Sequence, residues 1–316
     1  MSVAHIQDSK LTESFGSYSK MLARLNKLSV DKHFDAYLDV SWEDPEFQIE
    51  PGDPRLIESS VDPFTQSEWF ENLSTEAKAQ YCLYRYSSCL KTGWHFENLL
   101  QRGLLAIAFR EKNGSETFRY VHHEIIEESQ HTLMFQEYVN RSGLPVRGMA
   151  WRYRFVAELI IERVAKANPV LFFVFVLGGE EPADHLQKSL LKAGLKHPLL
   201  ERIMRIHVTE EARHLSFARH YLESHVPKAS RGQRMIVSLV APFVLGIMAR
   251  IMIFPASDLR KHTKMGFLEY RRLARSPQSR AMLRDCLQRT RKLFCELGLM
   301  GPAAEVLWKI HGIWGD

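Results

Sequence analysis

From Ser74 onward apolar side chains recur every three or four residues in long runs, the period of an amphipathic helix rather than of a strand. Turn residues interrupt the pattern: KNGS at 112–115, RSGLP at 141–145, NP at 168–169, KHP at 196–198 and VPKAS at 226–230. The runs between them predict four long helices over about 75–110, 115–141, 169–194 and 198–225, with further helices towards the C-terminus. At about 1.5 Å per residue each can cross a bundle of roughly 30–40 Å, and the short connections favour antiparallel neighbours. The expected fold class is all-α. Residues 1–65 depart from the pattern, because EDPEFQIEPGDPRLIESSVDP is rich in Pro, Asp and Ser. The expected organisation is an irregular wrapping segment over 1–65, then a single helical domain over 66–316 with its bundle at about 75–225 and accessory helices over 230–316.

Two of the predicted helices carry charge in the middle of an apolar seam. On 198–225, Leu200, Met204, His207, Glu211, His214, Ala218 and Tyr221 share one face. On 115–141, Val121, Ile125, Glu128, Thr132 and Phe135 do the same. Charged groups in such places are costly unless they are paired or bind a metal. In Glu128-Ser-Gln-His131 and Glu211-Ala-Arg-His214 the carboxylate and imidazole lie three residues apart, so both point the same way one helical turn apart. One Glu-x-x-His is expected from composition in a chain with 14 histidines, and two are not yet surprising.

Their partners carry the weight. Glu97 lies 31 residues before Glu128, and Glu180 lies 31 residues before Glu211, so the two halves repeat one pattern with an offset of 83. Each half reads as a helical hairpin with a lone Glu on one helix and Glu-x-x-His on the next. Two such hairpins packed together give a ferritin-like four-helix bundle with additional C-terminal helices, and a di-iron or di-manganese carboxylate site at its centre. The acids Glu124, Glu127, Glu181 and Glu210 sit beside proposed ligands and leave the register open, although the shared spacing selects Glu128, Glu180 and Glu211. Glu127, Glu210 and Arg213 suit hydrogen-bond partners that orient the histidines, and equally suit solvated helix faces. His207 precedes Glu211 by four residues and so lies on the same seam, as a ligand or as a core histidine beside the site.

With His207-Val-Thr-Glu-Glu211-Ala-Arg-His214, Glu128-Ser-Gln-His131, Glu97 in FENLL, Glu180 in GGEEP and Pro198 before the fourth helix, the chain resembles the arylamine N-oxygenases of the p-aminobenzoate N-oxygenase type over about 75–225. The resemblance implies a ferritin-like fold and a metal set of Glu97, Glu128, His131, Glu180, His207, Glu211 and His214. It implies Glu128 and Glu211 as bridges, Glu97 and Glu180 as terminal ligands, and the histidines as caps. The implied cofactor is two iron ions with O2 as co-substrate; a manganese–iron pair suits the same donors. No catalytic residue beyond the ligands is singled out.

Composition adds limits. The chain has 316 residues, 42 basic and 37 acidic, for a net charge of +5, with no basic stripe of the kind that binds nucleic acid. Cys82, Cys89, Cys286 and Cys295 form no CxxC pair and suit a reducing compartment. The polar start has no apolar core, so the expected location is cytoplasmic. Met235–Phe254 is long and apolar enough to span a bilayer, but carries Arg250, Pro242 and Gly246, and suits a buried core helix. A peripheral membrane contact through 235–254 and a homodimer stay open. The expected partners are a small-molecule substrate and an external electron donor, since no ferredoxin, flavin or nicotinamide motif is present. Three rivals to an O2-dependent N-oxygenating enzyme remain: a di-iron hydroxylase or desaturase acting on an apolar or acyl substrate, an iron-storage or redox-protection protein, and a metal-free helical interaction protein.

Overall fold

The computed structural model describes residues 18–315, and helices are the only regular elements among them. They begin with α1 over 18–31 and α2 (Glu68–Glu71), followed by α3 (Thr75–Ala108), α4 (Glu116–Ser142), α5 (Trp151–Ala167), α6 (Pro169–Ala193), α7 (Pro198–His225) and α8 (Arg231–Ile253). Shorter helices, from α9 (Ser257–His262) to the last at Pro302–Ile310, complete the chain. The punctuation read in the sequence sets the helix ends. Ser74, Ser115 and Asn168 accept hydrogen bonds from the first-turn amides of α3, α4 and α6, and Pro169 and Pro198 open α6 and α7. Gly143 and Gly194 close α4 and α6 in the left-handed conformation that a side chain would strain.

Helices α3 and α4 pack as one hairpin and α6 and α7 as another, and α6 is also covered by α8. The bundle core falls into two apolar clusters. One holds Leu99, Leu104, Val121, Phe172, Phe173, Phe217 and Leu222; the other holds Tyr81, Tyr86, Met134, Phe135, Leu200 and Met204. Each cluster takes one half of every bundle helix, and the charged residues of the seams lie in the layer between.

Close approach of α3 and α6 depends on glycine. A Cβ on Gly179 would stand 1.9 Å from the Phe96 ring, and one on Gly103 would stand 2.0 Å from Phe172. Helix α8 buries Val237, Ala241, Leu245, Met248, Ala249 and Met252 while Met235, Ile236, Val240, Phe243 and Ile247 stay exposed. Among the described residues it alone is long and apolar enough to cross a membrane, and half of its apolar stretch is buried.

The N-terminal segment departs from the expected irregular chain. Residues 18–31 are helical, bury Leu22 and Leu25, and tie to α4 where Asn26 Nδ2 donates to Glu116 Oε2 at 2.8 Å. Tyr18, Met21, Leu22 and Leu25 do recur at helical spacing, but the one short stretch stands next to Pro- and Asp-rich chain that reads as irregular. Residues 33–65 do wrap: Ala36 N donates to Gln130 Oε1 at 2.8 Å on α4, and Arg202 Nε on α7 donates to Asp39 O at 2.9 Å. Residues 1–17 lie outside the described residues.

Gly103→Ala is expected to cost about 1–3 kcal/mol through overpacking against Phe172. Gly232→Ala in α8, whose added methyl meets nothing within 4 Å, is expected to be neutral or up to about 1 kcal/mol stabilising. Denaturant unfolding of the two variants checks both signs.

Candidate metal centre

The inner faces of α3, α4, α6 and α7 bring Glu97, Glu128, His131, Glu180, His207, Glu211 and His214 together, each no more than 3% exposed. Glu211 is the hub. Its Oε1 lies 3.3 Å from His207 Nε2, 3.5 Å from His214 Nδ1 and 3.9 Å from His131 Nδ1. His207 Nε2 also lies 3.5 Å from Glu97 Oε1. His131 Nδ1 is 3.0 Å from Glu128 Oε2, and His214 Nδ1 is 2.8 Å from Glu128 Oε1. Two sets of donor atoms each fit within 4.8 Å: Glu97, His131, His207 and Glu211; and Glu128, His131, Glu211 and His214. They share His131 and Glu211, so the two positions adjoin.

Glu180 stands outside both sets. It is nevertheless buried on α6, with neither carboxylate oxygen hydrogen-bonded, and close enough to Glu211 and Glu128 to feel their charge. Carboxylates are flexible donors, and an ion between Glu180 and its neighbours would give those oxygens the partner they lack.

The outward nitrogens of two histidines are tied crosswise. His131 on α4 bonds through Nε2 to Glu210 Oε2 on α7 at 2.9 Å, and His214 on α7 bonds through Nε2 to Glu127 Oε2 on α4 at 2.8 Å. Arg213 lies 2.9 Å from Glu127 Oε1 and 3.3 Å from Glu210 Oε1, joining the two. The wrapping segment adds Phe34 N, which donates to Glu210 Oε1 at 3.1 Å. Occupied Nε2 atoms leave both Nδ1 atoms facing inward, the arrangement by which a second partner orients a metal-binding imidazole.

These contacts separate the adjacent acids. Glu127 and Glu210 hold the outward nitrogens of His214 and His131. Glu181 turns away, bonding to Arg219 and accepting from Thr290 Oγ1 at 2.6 Å, which anchors the C-terminal helices. Glu124 is different. It lies one turn before Glu128, fully buried, with both oxygens unpartnered and His214, Glu128 and Glu211 as charged neighbours. The sequence offered Glu124 only as one of several adjacent acids, with no spacing to distinguish it.

Charge shows whether cations fit. Glu97, Glu124, Glu127, Glu128, Glu180, Glu210 and Glu211 are all buried, and Arg213 pairs with two of them, Glu127 and Glu210. With every carboxylate ionised and the imidazoles neutral, six negative charges lack compensation. Each uncompensated buried ion costs several kcal/mol. Two divalent cations cancel four of these charges, and two trivalent ones cancel all six. Hard carboxylates with imidazoles are donors that iron accepts in both oxidation states.

The metal-free chain meets the same difficulty with protons. Burial, reinforced by Glu128, pushes the Glu97 carboxyl well up; burial with Glu211 does the same for Glu180. Burial disfavours a charged His131, but its hydrogen bonds to Glu128 and Glu210 outweigh this and raise it to about 10. His214 is likewise raised, burial being outweighed by Glu128 and Glu127. His207 goes the other way: burial, then the neighbouring His131, hold it neutral with both nitrogens unpartnered. His131 carries a proton at neutral pH and the other raised groups hold theirs to higher pH than usual, so a cation must displace them. Ferrous uptake is therefore expected to release protons and to tighten as pH rises from 6 to 8; titration calorimetry in buffers of different ionisation enthalpy checks both.

The model of the family described as p-aminobenzoate N-oxygenase AurF matches residues 16–298. Two similar relatives, the uncharacterized protein Rv0885 of Mycobacterium tuberculosis and the uncharacterized protein Mb0909 of Mycobacterium bovis, are each 40% identical over 305 residues, covering 94% of this chain and 88% of the relative. No solved structure is a significant match. A helical bundle with a buried Glu/His centre and a family match over most of its length place this chain in the p-aminobenzoate N-oxygenase family of ferritin-like di-iron proteins.

Proposed function

We propose that the chain is a non-haem di-iron oxygenase that uses O2 to oxidise an organic substrate, with an amine as the leading substrate class. The observation that carries this reading is the convergence of three inward-facing imidazole nitrogens on the unpartnered carboxylate of Glu211 in a buried layer of the core. Glu97, Glu128, His131, Glu180, His207, Glu211 and His214 are the proposed ligands. Bound iron would supply the electrons that activate O2.

The chain's own residues prepare the site. The crossed bonds to Glu127 and Glu210 hold His131 and His214 with Nδ1 inward. Arg213 bridges those two acids and holds them in place. A cavity with room for a few water molecules, about 50 Å³, opens in front of Glu97, Glu180, His207 and Glu211. Its walls include Gly93, Phe96, Phe135, Leu186, Leu190 and Met204, which limit water and admit only a slim group. The same apolar walls favour the second reading, a hydroxylase or desaturase acting on an apolar or acyl substrate. Electrons would come from an external donor, and manganese at one position suits the same ligands.

Anaerobic loading is expected to give about two irons per chain, and the reduced protein is expected to consume O2. Many irons per chain would indicate storage instead, and a reduced protein inert to O2 would defeat the oxygenase reading. Glu128→Ala is expected to lose most of the metal. His207→Ala is expected to lower metal content and change the iron spectra; full loading with unchanged spectra would remove His207 from the ligand set. Glu210→Gln, which touches His131 but not the metal positions, is expected to weaken iron binding by about 10–100-fold, as read by chelator competition.

A further inference from the structure

The cavity before the metal positions is too small for most substrates, and it shares part of its wall with a larger space. Arg85 and Cys89 on α3 line it, and they also line a much larger cleft of about 1120 Å³ that opens to solvent between α3, the start of α5, the end of α8 and α9. Arg85 stands where the two spaces meet. Its Nε pairs with Asp62 at 2.7 Å and its Nη2 donates to Ile253 O at 2.6 Å.

The outer cleft is rich in cations without counter-charges. Arg147, Arg152, Arg250 and Lys261 line it, and among the described residues none forms an ion pair with a carboxylate. Arg250 spends its guanidinium on the carbonyls of Gly246 and His311. Asp258 is the one acid in the lining, and its Oδ2 already accepts from the backbone N–H of Arg147 at 3.1 Å. Helix α5 also begins in this cleft, where Ala150 provides no side-chain cap for its first-turn amides.

Unpaired cations gathered around a concavity repel one another and focus a positive potential into it. Arginine forks match phosphate oxygens, and several separated cations call for more than one negative charge. The outer cleft has the size of a whole ligand site, whereas the inner cavity accepts only a narrow group. We infer that the outer cleft binds the phosphate-bearing handle of a carrier-linked substrate, whose slim oxidisable arm passes Arg85 and Cys89 to reach the metal positions. The arm's fate rests on the oxygenase reading; the handle's binding does not.

The test is equilibrium binding of two soluble probes, coenzyme A and adenosine 3′,5′-bisphosphate, to the full chain in both iron-loaded and metal-free form. Saturable binding is expected in both forms, weakened by salt. Arg147→Glu/Arg152→Glu, at exposed positions, is expected to weaken it by at least about tenfold, the loss of one good charge-assisted contact. Arg275→Glu/Arg280→Glu, an equal charge change elsewhere on the surface, is expected to change it less than about twofold. Absence of saturable binding to either probe, or equal weakening by both double variants, overturns the proposal. So does binding confined to phosphatidylglycerol vesicles, which would assign the charge to a lipid surface. A chain that binds the probes but no iron would leave the cleft standing and remove the oxygenase reading.

Discussion

The structure depends on one constraint, the burial of seven carboxylates in a single layer of a helical core. The crossed bonds His131–Glu210 and His214–Glu127, joined by Arg213, make that layer tolerable. They spread charge between α4 and α7, so the two hairpins are joined by hydrogen bonds as well as by packing. Each histidine gains an orientation from a helix it does not belong to. The rest of the compensation must come from protons or cations, because nothing else in the layer is positive.

The polar layer also explains how the apolar core is arranged. With the middle of each bundle helix given over to Glu and His, the buried apolar residues divide into two clusters at either end. The centre is then held from both sides by well-packed aromatic and aliphatic side chains. On the α3–α6 side, Gly179 and Gly103 let the backbones approach, and this brings Glu97 and Glu180 to one face of a narrow cavity. Position and access thus follow from the same packing.

Much of this was legible in the sequence. The four bundle helices end within about two residues of where the turn signals put them, because capping residues and glycines act locally. The repeated 31-residue spacing placed Glu97 with Glu128 and Glu180 with Glu211, since rigid helices convert spacing into position. The signal for helix α1, Tyr18, Met21, Leu22 and Leu25 at helical spacing, was present but confined to one short stretch beside Pro- and Asp-rich chain. The neighbours Glu124, Glu127, Glu181 and Glu210 were equivalent in the sequence, and contacts from other elements separated them.

By itself, then, the sequence determined the all-α class and the hairpin repeat, because periodicity and local capping are properties of short stretches of chain. Only the tertiary structure decided that Glu210 serves His131 while Glu181 serves Thr290, and that Glu124 is left without a partner. It alone brought Arg85 and Cys89 between a narrow apolar cavity and a wide basic cleft. Those outcomes depend on which helices pack together and at what distance, and adjacent residues on one helix face different neighbours.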